Sequence, residues 1–518
     1  MKCWPLTINR CLNNVLFQKT IFCIFILAIF ASYWLFSRHY KGPAYLSDEI
    51  GYLTKAAAFA GYPVDMASSW HGGYSLMLSP LFALSNDPFT VWQGVMVLNA
   101  AMWAFSFMLL FYFLRHIFPR HGFWAVFFAV AVSATYPSWI SMSGYAFSTS
   151  GFVLVYMLSL FALIKVSENN ALTIIPYSVL IGYLYWIHPT GCAVVAASLP
   201  VAAGFSWHTR RASFFLLHSL IAAAMIVAYR SGIHGWLNQI MTPESYPAWD
   251  HYGDVSTLLK RCLVNKSFWL QWPVAAMGHS SAVIISTFGV VAFAFAESSK
   301  RICSFSERIQ DRGNNMVTDA VLIFMTLSIL AVILIGSFVV EFGFIYGRKQ
   351  DLDLWIQGRY SDHVLLPLFA AGLLAPWKGR HALIACVFLF VTGLLLHFFT
   401  CEPNTVSHVN EINLQGFWPQ SVFSHAGFLI WFVLGMAGII LATALKKRFF
   451  VFLVVPVFFL SVMSQSTWHK GILSHYYRPA GVVDFVRANF PCGTTIGFNP
   501  GQPPAGTMPE RRNLYSYY

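Results

Sequence analysis

The sequence predicts an all-α polytopic membrane protein with about thirteen transmembrane helices, short interfacial helices in its first outside loop and a small C-terminal tail. Three observations carry that expectation. Of 518 residues only 10% are charged, while 57% are hydrophobic and 17% aromatic, and mean hydropathy is +0.60. A water-soluble fold cannot cover so much apolar area. Apolar runs close to bilayer length recur along the chain, and Lys and Arg gather between alternate runs.

The runs fall at 21–37, 90–114, 122–140, 148–164, 171–187, 190–207, 212–229, 274–295, 317–340, 361–375, 382–400, 426–445 and 449–463. No linker or internal repeat divides them, so residues 1–464 read as one transmembrane domain, followed by a short segment, 465–518. The net charge of +12 suggests nucleic acid until its location is considered. Arg115, Arg120, Arg210, Arg211, Lys300, Arg301, Lys446, Lys447 and Arg448 all fall on one side of the predicted spans. Roughly a quarter of the residues on that side are Lys or Arg, against under about a tenth opposite. The basic excess therefore sets orientation, with the N-terminus cytoplasmic and the C-terminus periplasmic, and a nucleic-acid partner is not expected. The first run lacks a small-residue cleavage pattern at Ala31-Ser32-Tyr33-Trp34 and reads as a retained anchor. Nine scattered Cys with no C-x-x-C pair exclude a disulfide scaffold and argue against zinc or redox roles.

Cytoplasmic loops are short, whereas the opposite face carries long segments at 38–88, 230–273, 341–360 and 401–424. Chemistry is expected there, because long loops on a rigid scaffold carry function. In the first loop, Ser47-Asp48-Glu49-Ile50 begins a helical pattern with Ser47 as N-cap and Ile50, Leu53, Ala57 and Ala60 on one face. Asp48 and Glu49 then sit in the first turn, where they serve either the helix dipole or chemistry. A second short helix at 74–84 follows His71-Gly72-Gly73. Neither is long enough to cross, so both are expected to lie along the interface.

Downstream, Gln357-Gly358-Arg359-Tyr360 opens the run at 361–375, with Arg348 and Lys349 in the same loop. An Arg there either snorkels to lipid phosphate or holds a substrate phosphate, for which its planar fork suits it. His188-Pro189-Thr190-Gly191 punctuates two runs, and His188 either caps helix ends or faces a substrate. Trp249 and His251, beside Asp250 and Asp254, belong to an aromatic outside loop that either stacks on sugar or serves the interfacial belt. Lys55, Trp70, His71, Tyr74, His188, Trp249 and His251 are the candidate substrate contacts.

The stretch Asp48-Glu49, Tyr52-Leu53, Ala56 to Gly61 and Gly73-Tyr74-Ser75-Leu76-Met77-Leu78-Ser79-Pro80-Leu81-Phe82 resembles the first loop of the GT-C glycosyltransferases. The likeness is to the group of protein O-mannosyltransferases and the aminoarabinose transferase of lipid A. Gln357-Gly358-Arg359-Tyr360 with Pro367 resembles that group's later Arg-Tyr element. Trp70-His71-Gly72-Gly73 departs from the paired prolines usual before the Gly-Tyr, and the tail is shorter than some outer domains. In size and layout the chain is also similar to phage-associated serotype-converting glucosyltransferases.

The resemblance implies transfer of a sugar from a polyprenyl-phosphate-linked donor to a glycan, lipid or protein acceptor, outside a bacterial inner membrane. An outward-facing transferase meets no nucleotide sugars and needs a donor delivered through the bilayer. Asp48 is then the general base and Glu49 the lesser candidate, since adjacent helical residues point about 100° apart. Arg359, with Tyr360, Arg348 and Lys349, is expected to hold the donor phosphate. No cofactor is expected; a divalent Mg or Mn ion is the alternative, held by outside acids that show no ligand spacing. The rival functions are a transporter or flippase of a lipid-linked glycan, for which inverted halves and deep acids are missing from the sequence, and a glycan polymerase.

Overall fold

In a computed structural model, residues 15–38, 42, 46–62, 64, 70–166, 170–241, 264, 266–308, 315–340, 360–399, 425–444, 454–460 and 462–463 are described, with some side chains inside those ranges, Asp48 among them, outside the description. Every regular element among the described residues is helical. In chain order they are α1 (Val15–Ser37), α2 (Leu46–Phe59), α3 (Gly73–Leu84), α4 (Pro88–Ile117), α5 (Phe123–Ala134), α6 (Pro137–Met142), α7 (Thr149–Ile164), α8 (Ile175–Ile187), α9 (Gly191–Thr209) and α10 (Ser213–Val227). A π-helical segment (Ala228–His234) leads to α11 (Gly235–Met241). The rest are α12 (Lys266–Ser286), α13 (Val290–Arg308), α14 (Asn315–Val340), α15 (Asp362–Leu374), α16 (Gly379–Phe399) and α17 (His425–Ala444).

Local chemistry sets several boundaries. Asp87 caps α4 by accepting from the Thr90 amide at 2.9 Å, with Pro88 in the first turn where its missing N–H is not needed. Arg115 and His116 in the last turn of α4 complement the helix dipole. Buried hydroxyls turn back onto their own helices, as Ser106 does to the Met102 carbonyl and Ser133 to the Ala129 carbonyl, each at 2.8 Å. In a low-dielectric interior that satisfies a group whose exposure to hydrocarbon is costly.

Six described helices are long and apolar enough to cross a membrane, and a bent pair makes a seventh. Shorter apolar helices, including α5, α7 and α15, fall at other predicted runs. The expected count of about thirteen is therefore not confirmed: among the described residues six helices, or seven with the bent pair, have the length and hydropathy of a span. Two expected single spans are broken. The run at 274–295 turns by 111° between α12 and α13, at Thr287-Phe288-Gly289, where Phe288 has φ +50° and Gly289 φ +74°. The run at 122–140 divides at Thr135-Tyr136, where Pro137 starts α6.

A large core joins α1, α4, α5, α7, α8, α9, α14 and α15. Phe22 of α1 packs on Phe111 of α4 with ring centroids 4.2 Å apart, and the Tyr33 hydroxyl donates to the Ala134 carbonyl at 3.0 Å. A second core, with Ile285, Phe293, Leu389, Phe432 and Ile439, joins α12, α13, α16 and α17. The first-loop helices are tucked into the bundle. On α2 the residues Ile50, Tyr52, Leu53, Lys55 and Ala56 are all buried, whereas Ala57 and Ala60 are half-buried. The buried face is therefore wider than the expected stripe, and α2 starts at Leu46, ahead of the expected Ser47 cap. Its neighbour α3 begins where Gly73 meets the end of α8. A Cβ on Gly73 would lie 2.5 Å from the Trp186 carbonyl carbon, so only glycine permits this approach.

Candidate active site at one end of the bundle

The buried face of α2 holds three polar side chains. Glu49, fully buried, accepts from the Ala146 amide at 2.8 Å through Oε1. Tyr52 donates to Ser148 Oγ at 3.0 Å. Lys55, 1% exposed, donates from Nζ to the Trp70 carbonyl. These bonds tie the loop helix to residues 146–148, ahead of α7, and to the segment entering α3. Burial alone pushes the Lys55 ammonium down to about 7. Asp48 takes its place in the backbone of α2, and its side chain lies outside the described residues.

Trp70, His188 and Tyr360, widely spaced in the chain, come together. The indole of Trp70 stacks on His188 with centroids 6.4 Å apart, and His188 lies 5.7 Å from the Tyr360 ring. Against His188 and Tyr360 lies His363, a residue that sequence reasoning missed. Its ring is 5.0 Å from His188 and stacks on Phe152 at 4.7 Å, and its Nε2 is 3.2 Å from Thr149 Oγ1. A signal existed: His363 stands four positions after Arg359 in the sequence. His188 also closes α8, its amide donating to the Leu184 carbonyl at 3.1 Å. Its Nδ1 accepts from the Thr190 amide at 3.1 Å, which leaves the ring proton on Nε2.

His71 points the other way along the loop. Its Nδ1–H donates to the Tyr185 carbonyl, and its ring lies 4.8 Å from both the Tyr185 and Tyr229 rings. Burial of the ring between these phenols pushes it down to about 3; the bond to Tyr185 opposes that, and the charges of Lys55, His234 and Arg230 add to it. Tyr74 is sealed in the packing of α3 on α4, donating to Asn99 Oδ1 at 2.7 Å. Asn99 in turn donates to the Tyr145 carbonyl at 2.8 Å and accepts from Ser150 at 2.6 Å.

The first turn of α15 is anchored by a buried carboxylate that the sequence reading also passed over. Asp362 accepts from Ser138 through Oδ2 and from the Tyr136 hydroxyl through Oδ1 at 3.4 Å. Its carbonyl accepts from Trp139 Nε1 at 3.3 Å. Tyr136 is also 3.0 Å from Ser286 Oγ at the bend after α12. The start of α15 is therefore held by α6 and, through Tyr136, by the bent pair. Arg348, Lys349, Arg359, Trp249 and His251 lie outside the described residues, as do Asp250 and Asp254. Among the described residues no three His, Cys, Asp or Glu side chains group to hold a metal ion.

No known family profile matches the sequence, and no curated protein does. Among solved structures, the chain is similar to ArnT from Cupriavidus metallidurans bound to undecaprenyl phosphate, with 12% identity over 97% of this chain and 85% of that one, TM-score 0.47. It is similar to the arabinosyltransferase EmbB from Mycobacterium smegmatis, with 13% identity over 87% of this chain and 41% of that one, TM-score 0.41. A third likeness is to the Archaeoglobus fulgidus oligosaccharyltransferase in the apo form, with 10% identity over 80% and 56%, TM-score 0.36.

Proposed function

We propose that this chain is a membrane glycosyltransferase of the GT-C kind. It transfers a sugar from a polyprenyl-phosphate-linked donor to a hydroxyl of a cell-envelope glycan, lipid or protein, on the periplasmic side of a bacterial inner membrane. The supporting observation is the meeting of Trp70, His188 and Tyr360, which draws the loop that follows Asp48 toward the residue that follows Arg359. Such a reaction needs a base and a phosphate-stabilising cation on one reacting centre.

In this mechanism Asp48 accepts the proton of the acceptor hydroxyl as its oxygen attacks the anomeric carbon. The bond from that carbon to the phosphate oxygen breaks, and the electron pair leaves with the phosphate, whose charge Arg359 stabilises. General-base assistance contributes about 10² to 10⁴ in rate. Glu49 is bonded to the Ala146 amide and serves to hold the loop.

The test is transfer by purified protein in nanodiscs given a monosaccharide polyprenyl phosphate and candidate acceptors. Asp48→Asn is expected to lower turnover about 10²-fold or more and Arg359→Ala to do likewise. Translocation of the lipid without transfer would replace this reading with a flippase, and normal turnover in both variants would remove the loop from catalysis. Activity lost to chelator and restored by magnesium or manganese would add a metal to the site.

A further inference from the structure

Tyr177 stands about three turns of α8 before His188, roughly 16 Å along the axis, so the polar groups around it lie apart from the Trp70–His188 cluster. Its ring packs edge-on against Phe324 of α14 with centroids 5.5 Å apart, and Tyr156 of α7 meets the same Phe324 at 5.8 Å. Ser328 comes one turn after Phe324 on the same face of α14, near the middle of that 26-residue helix. Tyr156, Tyr177 and Ser328 are all fully buried. The Tyr156 hydroxyl faces that of Ser328; the Tyr177 hydroxyl faces Ser198 and lies within electrostatic reach of Tyr156. Yet the hydroxyl oxygens of Tyr156, Tyr177 and Ser328 are in hydrogen-bond geometry with no described residue.

Neighbouring His218 of α10 shows the opposite. Stacked on Tyr177 at 5.3 Å, it has Ser178 Oγ 2.9 Å from Nδ1 and Ser198 Oγ 2.8 Å from Nε2. Both ring nitrogens are therefore served by the protein. Those two serines also lie 2.8 and 2.6 Å from the carbonyls of Ile174 and Val195. What remains unserved is three hydroxyls, each costly to strand in a low-dielectric interior. No charged side chain among the described residues acts on Tyr156, Tyr177 or His218, so neither a cation nor an anion would find a counter-charge. The groups suit a small neutral molecule that both donates and accepts. We propose that Tyr156, Tyr177 and Ser328 together hold a buried water molecule, which ties α7 to α8 and α14 inside the bundle. Buried waters typically make about three hydrogen bonds to polar groups that have no other partner, and three such groups converge here. In hydrocarbon surroundings nothing else can satisfy them. The site is independent of the transferase reading and uses none of its residues.

The experiment is a cryo-EM map of the full chain in nanodiscs, at a resolution that shows ordered water, together with thermal unfolding of Tyr156→Phe, Tyr177→Phe and the double variant. The map is expected to hold one non-protein peak within about 3.2 Å of both phenolic oxygens and of Ser328 Oγ. Direct bonds among the three hydroxyls, with no peak between them, overturn the proposal. The sign of the unfolding shift is a separate readout. A phenol stranded dry destabilises the fold, so Phe in its place would raise the unfolding temperature or leave it unchanged. A phenol bonded to water loses that bond, and each single variant is expected to unfold about 1–3 °C lower. The double variant should lose less than the sum of the two singles, because one water serves both phenols. Unfolding temperatures raised or unchanged in both single variants overturn the site, and strictly additive losses overturn the sharing of one molecule. Because the map is read on wild-type protein, a variant that fails to fold leaves the decision intact.

Discussion

The imidazole of His363 lies 5.0 Å from that of His188, edge to face, and so joins the first turn of α15 to the turn between α8 and α9. Through His188 the contact continues to Trp70, in the segment between α2 and α3. The His363 ring is buried and holds Thr149 Oγ1 at 3.2 Å. His363→Leu removes both the hydrogen bond and the stacked ring, a loss of about 1–3 kcal/mol in stability. The expected result is a lower unfolding temperature in detergent together with reduced sugar transfer, while His363→Phe restores most of the stability. Equal unfolding temperatures for wild type and His363→Leu would contradict this.

Asp362 takes hydrogen bonds from two hydroxyls. Asp362→Ala leaves Ser138 without that acceptor and is expected to cost about 1–3 kcal/mol for each buried group stranded. Asp362→Asn keeps one acceptor oxygen and should cost less. Thermal unfolding of the three proteins orders them wild type, Asn, Ala.

Gly73→Ala drives a methyl group to within 2.5 Å of the Trp186 carbonyl carbon. Backbone faces backbone there, so neither side can rotate away. A destabilisation of about 1–3 kcal/mol is expected, and protease digestion should cut the loop at 60–72 faster than in wild type.

Stability should rise with pH through two windows. The His71 ring titrates at about 3 in the folded chain against about 6.5 unfolded, so between those values the unfolded chain binds a proton that the folded chain lacks. Lys55 titrates at about 7 folded and about 10.4 unfolded, with the same sign. Folding is therefore favoured as pH rises across each window. Unfolding temperatures measured from pH 5 to 9 test this, with His71→Gln flattening the acid limb and Lys55→Met the alkaline one.

The helical class and the position of the first-loop helices were legible because apolar period and length are written in the residues themselves. α3, expected at 74–84, is Gly73–Leu84, and the turn at His188 is where Pro189 and Gly191 put it. The bend at Thr287-Phe288-Gly289 was not legible. Apolar residues continue on both sides, and the positive φ at Phe288 is held by tertiary packing, with Ile439 against Gly289 and Gly372 against the Val290 carbonyl. Hydropathy reads composition and is blind to direction. Asp362 was hidden for a similar reason: next to Arg359-Tyr360 it looks like one more polar residue at a membrane edge, and its partners Ser138 and Tyr136 lie more than two hundred positions upstream.

Because the junction at Gly73 is main chain against main chain, its geometry does not depend on what the neighbouring side chains are. Side chains flanking position 73 can therefore change while the start of α3 stays where it is, provided that position itself keeps no Cβ.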